Sequence, residues 1–365
     1  MPKTIAPPRP STVPARHDAL DRLRGAALVM MLVHHLVDWL TRDARAVLPG
    51  WPSFAVTDVA AVAFFLAAGA SMALFVSSRR HRGVSRGRVA AQVLRRYGLL
   101  VPIGVALDWL LWRDPFMFGV LEALGLAVVL GAAVVALVPD RWLPVAAVAA
   151  LLAGMTAEWL AGGNAAWVAQ EVIAGKFPLV TYVGFVAVGA AVVRTGHHVD
   201  RRWAAVAAAV GAAGTLALVV AGVAPDRYPG GVPFVLPGLA GTAILFALAQ
   251  VPWPGPAAVL DRVVRRAAAH TLGIFVAHYA IYALLRDRGL LGDVRGAVAV
   301  PAAVAVTVTI CLMAPRMPRP PWSLRTGRLR RPAAAGEAPA TPPGPHSSAA
   351  NMAASSAGGA SSSWS

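Results

Sequence analysis

Cysteine is all but absent from this 365-residue chain: the single Cys311 lies in an apolar run, so no intrachain disulfide can form. Charge is scarce as well. Only 14% of residues are Asp, Glu, Lys or Arg, where a soluble domain carries about a quarter. Carboxylates are the scarcer sign, 17 against 33 Lys and Arg, which leaves a net charge of +16. No HExxH and no Cys/His ligand spacing occurs, so no metal is expected. There is no GxGxxG and no P-loop, so nucleotide chemistry of those kinds is not indicated. The N-terminal stretch MPKTIAPPRPSTVPARHD lacks a short apolar core with a cleavage site, so the first apolar segment is expected to stay as a signal anchor.

What the chain has in abundance is apolar sequence, 57% of it, arranged in long blocks with the charge confined between them. That is the pattern of a polytopic membrane protein. The blocks predict an all-α transmembrane bundle of about ten helices, at 19–40, 54–77, 97–112, 117–138, 142–162, 177–193, 203–224, 234–251, 269–285 and 296–314. The third and sixth are short, so counts of nine and eleven stay open. With ten spans and a cytoplasmic N-terminus, 25 of the 33 Lys and Arg fall in inner segments and 8 in outer ones. This bias predicts that both termini are cytoplasmic and that the protein is multi-pass in the cell membrane. The arginines then sit against membrane lipids, not nucleic acid. Residues 1–15 and the Ala/Ser/Pro/Gly-rich tail 332–365 are expected to be disordered, flanking a membrane domain over 16–314 and a basic juxtamembrane segment over 315–331. Gly69, Ala70 and Ser71 in the second span suit close helix packing.

Against this background, ionisable groups at membrane depth are costly, roughly 2.5–3.5 kcal/mol each on insertion scales, and each invites a functional reading. They are His34, His35, Asp38, Asp58, Asp108, Glu122, Glu158 and His278, and the proposed topology puts all of them in the outer half of the membrane. In the first span Arg24 and His35 share a helix face, about 16 Å apart along the axis. Asp38 is one turn from both His34 and His35, so either imidazole could be oriented by it as a general base. Asp58 and His278 are candidates to complete the site from neighbouring helices. The inner segment 79–96 concentrates Arg79, Arg80, Arg82, Arg86, Arg88, Arg95 and Arg96. Positive-inside topology accounts for such a cluster; so does a clamp on the phosphates of an anionic donor such as an acyl-coenzyme A.

The first span, DALDRLRGAALVMMLVHHLVDWL, carries Arg24-Gly25 at its inner mouth and His35 three turns on. It resembles the opening of the heparan-alpha-glucosaminide N-acetyltransferase-like membrane family, and is similar also to the acyltransferase-3 family. FFLAAGASMAL, LRRYGLLVP, FGVLEALGLAVVL, FPLVTYVGFVAVGAAVVR, YPGGVPFVLPGLAGTAILFALA and HTLGIFVAHYAIYALL extend the likeness over about 16–285. Only Arg24-Gly25 with His35, and the FFLAAGASMAL block, are moderately specific. The resemblance implies an acyltransferase that takes an acyl group, acetyl by preference, from cytoplasmic acyl-CoA. Delivery is to a hydroxyl or amine on a carbohydrate or lipid outside. It implies His35 as the membrane histidine, with His34 as partner or substitute, and Arg24, Arg79, Arg80, Arg95 and Arg96 as donor-holding residues. Many members of the first family have His, Trp and Gly shortly before the Asp of the second span. Here that stretch is LPGWPSFAVTD, without the His, and the acceptor stays open. A homo-oligomer is compatible with this reading. The rival reading is a proton-coupled transporter or flippase, with the same acids and histidines as a relay.

Overall fold

The computed structural model describes residues 18–41, 53–112, 118–161, 172–173, 175, 177–195, 201–223, 231–251, 253–255, 257–292 and 294–316. The expected disordered ends, 1–15 and 332–365, and most of the basic segment 315–331 lie outside the described residues. All described helices belong to one folded unit. Among the described residues there is no strand.

Among the described residues twelve α-helices follow one another: α1 (Asp18–Thr41), α2 (Ser53–His81), α3 (Arg86–Val93), α4 (Leu100–Trp112), α5 (Val120–Leu137) and α6 (Leu143–Ala161). Then come α7 (Leu179–Arg194), α8 (Arg201–Val220), α9 (Val232–Ala249), α10 (Ala257–Ala269), α11 (Thr271–Asp287) and α12 (Gly296–Met313). A π-helical turn, Leu94–Gly98, joins α3 to α4. Each of the ten expected segments carries a helix. Among the described residues five helices are long and apolar enough to cross a membrane, one of them α3, the π-helical turn and most of α4 taken together (Arg86–Leu111), or six if α10 and α11 form one broken span, bent by 95°. Two segments expected as loops are partly helical: α3 within 79–96, and α10 within the stretch between the eighth and ninth spans. In α10, Val263, Val264, Ala267 and Ala268 are buried while Arg262 faces outward. Helix α10 thus has an apolar face turned into the bundle and a basic face turned out, and it meets α11 at the sharp bend.

Polarity is inverted relative to a soluble protein. Leu137, Leu160, Val210, Leu216 and Val220 are among the most exposed side chains, whereas Asp58, Asp108, Glu122, Glu158 and His278 are buried. Such an exterior suits lipid, and the exposed Trp109 and Trp142, near helix ends, suit the lipid–water boundary. Because lipid offers no less apolar contact than a protein core, helix association here depends on close packing. Helix α2 packs against α1, α5, α7 and α9; α1 also meets α9, α10, α11 and α12. The α2–α7 crossing shows how the backbones approach. A Cβ on Gly69 would collide with the Val186 carbonyl, and one on Gly189 with the Leu66 carbonyl. Gly69 thus does what its place in a small-residue run suggested. At the centre, Phe65 meets Tyr182 at 4.3 Å with the rings tilted by 60°, and Phe185 meets Phe234 edge-on at 6.0 Å.

Candidate functional site

The Arg24-Gly25 pair has a structural task. Gly25 lets α10 approach so closely that any Cβ would overlap the Val264 carbonyl. Arg24 then donates to the carbonyl of Ala268 at 3.0 Å, at the end of α10, and to Asp21 at 2.9 Å. Beside it Arg22 donates to Asp261 at 2.7 Å and to the Ala249 carbonyl at 3.0 Å. Arg265 bonds Asp261 and pairs with Asp18 at 3.1 Å. Burial would raise the Asp261 carboxyl, but Arg22 and Arg265 outweigh it and hold the group below its ordinary value. These contacts clip α10 to the start of α1, and α10 in turn sets where α11 begins.

Helix α11 brings His278, fully buried, against His35 of α1. The Nδ1 of His35 lies 3.5 Å from the Nε2 of His278, at the outer limit of hydrogen-bond reach. The Nδ1 of His278 contacts the Phe275 carbonyl. A carbonyl only accepts, so this nitrogen carries the hydrogen and the Nε2 of a neutral His278 is an acceptor. His35 then donates from Nδ1, and its own Nε2 is left with a lone pair, the state required of a base. The order of protons along the pair follows from one backbone carbonyl.

The remaining expected residues are placed as follows. His34 is half-buried, its ring 6.2 Å from that of His35. Asp38 is exposed, and among the described residues it bonds neither histidine. The one-turn spacing permitted that contact; α11 supplies His35 with a different partner. Asp58 is buried near the start of α2. Glu158 accepts a hydrogen bond from Thr181 at 2.5 Å, in the α6–α7 contact. Asp108 of α4 and Glu122 of α5 are both buried, with their carboxyl groups side by side. They are framed by Gly104 and Gly119, where a Cβ would strike the carboxyl groups. Among the described residues, no three His, Cys, Asp or Glu side chains converge as a metal-ligand set.

Sequence reasoning passed over the aromatic wall of the site. Trp39 stacks on both imidazoles, at 5.6 Å from His35 and 5.5 Å from His278, and meets Tyr282 at 4.5 Å. Tyr279 lies 4.3 Å from His278. The signal was there: Trp39 is one turn past His35, and Tyr279 and Tyr282 are one and four residues past His278.

At the opposite end of the bundle, Arg79 lies over Phe75 and Arg96 over Tyr97. Arg82, Arg86, Arg88, Arg95 and Arg96 are exposed. Among the described residues, none of the seven arginines of 79–96 is in an ion pair, in contrast to Arg22, Arg24, Arg194, Arg265 and Arg286.

A helical bundle with an apolar exterior, and with a half-buried His35 set against a buried His278, is an integral membrane protein built around a polar interior. Within that class, the family model for heparan-alpha-glucosaminide N-acetyltransferase, catalytic, matches residues 16–223, more than half of the sequence, and the chain belongs to that family. No curated protein matches it. The matched stretch contains His34, His35, Trp39 and the 79–96 arginines; His278, Tyr279 and Tyr282 lie beyond it.

Proposed function

We propose that this membrane acetyltransferase moves an acetyl group from cytoplasmic acetyl-CoA to a hydroxyl or amine on the outer side of the cell membrane. The acceptor is a carbohydrate or lipid; the family's name favours an amino sugar. Both termini are cytoplasmic and the ten helical segments are spans in this reading. The observation that carries it is the His35–His278 pair, with its proton order set by the Phe275 carbonyl. His35 Nε2 takes the proton from the acceptor as its oxygen or nitrogen attacks the thioester carbon. The C–S bond breaks, and the departing sulfur takes the proton back from His35. His278 accepts from His35 Nδ1 throughout, stabilising the imidazolium. Transient acetylation of the histidine is the variant of this scheme.

Arg79, Arg80, Arg95 and Arg96, which no acid neutralises among the described residues, suit the donor's phosphates. Arg24 is already engaged with Asp21 and Ala268, so its part in donor binding is to shape the mouth, not to clamp phosphate. A thioester entering there must reach about 16 Å along α1 to His35. Asp38, exposed, has no role in this scheme, and Asp58 serves as a supporting residue of the interior.

The test uses purified full-length chain in lipid nanodiscs, acetyl-labelled acetyl-CoA, and glucosamine as probe acceptor. Label should pass to the amine in wild type and stop in His35→Ala, with donor binding intact. Arg95→Glu with Arg96→Glu should weaken donor binding at least tenfold and steepen its salt dependence. Full turnover in His35→Ala would remove the histidine from the reaction. Solute flux without acetyl transfer would favour the transporter.

A further inference from the structure

A pair of imidazoles works in series only if neither ring turns over. Rotation of His35 by half a turn about its χ2 bond replaces Nδ1 with a carbon and breaks the contact with His278. The Phe275 carbonyl governs His278 alone. The group that bears on both rings is the indole of Trp39. It lies nearly parallel to His278, at 8° and 5.5 Å, and at 29° and 5.6 Å from His35.

Trp39 is itself held from several sides. Tyr282 meets it at 4.5 Å and 55°. Arg286 sits 5.9 Å from the centre of the Tyr282 ring and donates to the Leu111 carbonyl at 2.6 Å, tying α11 to the end of α4. The last turn of α1 would ordinarily leave its carbonyls without helix partners. Here the Trp39 carbonyl accepts from the Gly292 N–H at 3.0 Å, and that of Leu40 from the Val294 N–H at 3.1 Å. The loop after α11 reaches them because Gly289 and Gly292 adopt φ of 65° and 82°, which side-chain-bearing residues resist. The helix end is pinned where the indole must stay still.

We propose that Trp39 is a positioning residue, braced by Tyr282, that holds His35 and His278 in the single orientation in which Nδ1 of the first faces Nε2 of the second. This rests on the reading of the pair as the base of an acetyl transfer, yet the orientation itself can be tested without turnover. Full-length chain labelled with 15N-histidine in nanodiscs is observed by solid-state NMR, the two rings being assigned from their loss in His35→Phe and His278→Phe. Wild type should show one protonation pattern for each ring, with hydrogen on Nδ1 of both. Trp39→Leu should give mixed patterns at both rings, and Tyr282→Leu the same to a smaller degree. In the acetyl-transfer assay kcat of Trp39→Leu should fall roughly 10- to 100-fold with KM for acetyl-CoA unchanged. Trp39→Phe, which restores a stacking ring, should recover most of it. Single patterns persisting in both leucine variants would overturn the proposal. If Trp39→Leu does not fold, Tyr282→Leu decides alone. A wild type that transfers no acetyl group would defeat the enzymatic reading, while the spectra would still decide the role of Trp39.

Discussion

If His278 acts only through His35, removing both must cost no more than removing His35. The perturbation is a double-mutant cycle with phenylalanine, which keeps an aromatic ring beside Trp39 and removes the nitrogens. His278→Phe deletes the acceptor 3.5 Å from His35 Nδ1. A hydrogen bond to a charged group contributes about 1.5–3 kcal/mol, which corresponds to a loss of about 10- to 150-fold in kcat. His35→Phe removes the base itself, a loss of about 10²- to 10⁴-fold. The double variant should match His35→Phe, so that the coupling energy equals the whole effect of His278→Phe. The assay is acetyl transfer from labelled acetyl-CoA to glucosamine in nanodiscs. Donor binding by calorimetry and thermal unfolding serve as controls for folding. Two outcomes refute the reasoning: His278→Phe as active as wild type, or a double variant whose loss is the product of the two single ones. The second would mean that the histidines act independently, whatever their proximity.

Two further expectations concern the scaffold. Gly69→Ala should destabilise the bundle by about 1–3 kcal/mol because its Cβ meets the Val186 backbone. Gly87→Ala, where a Cβ meets nothing within 4 Å, should be neutral or slightly stabilising, and equal thermal stability of the two variants would discredit the close-crossing account. The Asp261 carboxyl, lowered from an ordinary value of 3.8, makes the stability it confers complete above that pH. That stability is lost as pH falls below 3.8 through the lowered value. The unfolding temperature of wild type should therefore drop more steeply in that acid range than that of Asp261→Asn, and parallel profiles would show that the Arg22 and Arg265 contacts contribute nothing.

The length and spacing of apolar runs are properties of the chain in one dimension, so the sequence by itself determined an all-helical membrane protein and where its ten apolar helices lie, though not the helices α3 and α10 between them. Local crowding was legible on the same terms: a run such as Gly69-Ala70-Ser71 favours close approach, and at Gly69 the backbone of α7 leaves no room for a Cβ. The amphipathic stretch around Val263 and Arg262 carried its signal too, but a run of arginines between spans has the same composition whether it is a loop or a helix on the surface. The partner of His35 was not legible. Asp38 was the nearest acid along α1, whereas the contact made is with His278, 243 residues further on. Which face of α1 meets α11 depends on Gly25 admitting α10, on the bend that follows, and on the loop carrying Gly292 back to Trp39. The same holds for Asp108 and Glu122, which lie on different helices and meet only because Gly104 and Gly119 leave room. Helix spacing fixes what a residue can reach on its own helix; packing decides which neighbour arrives, and that choice belongs to the tertiary structure.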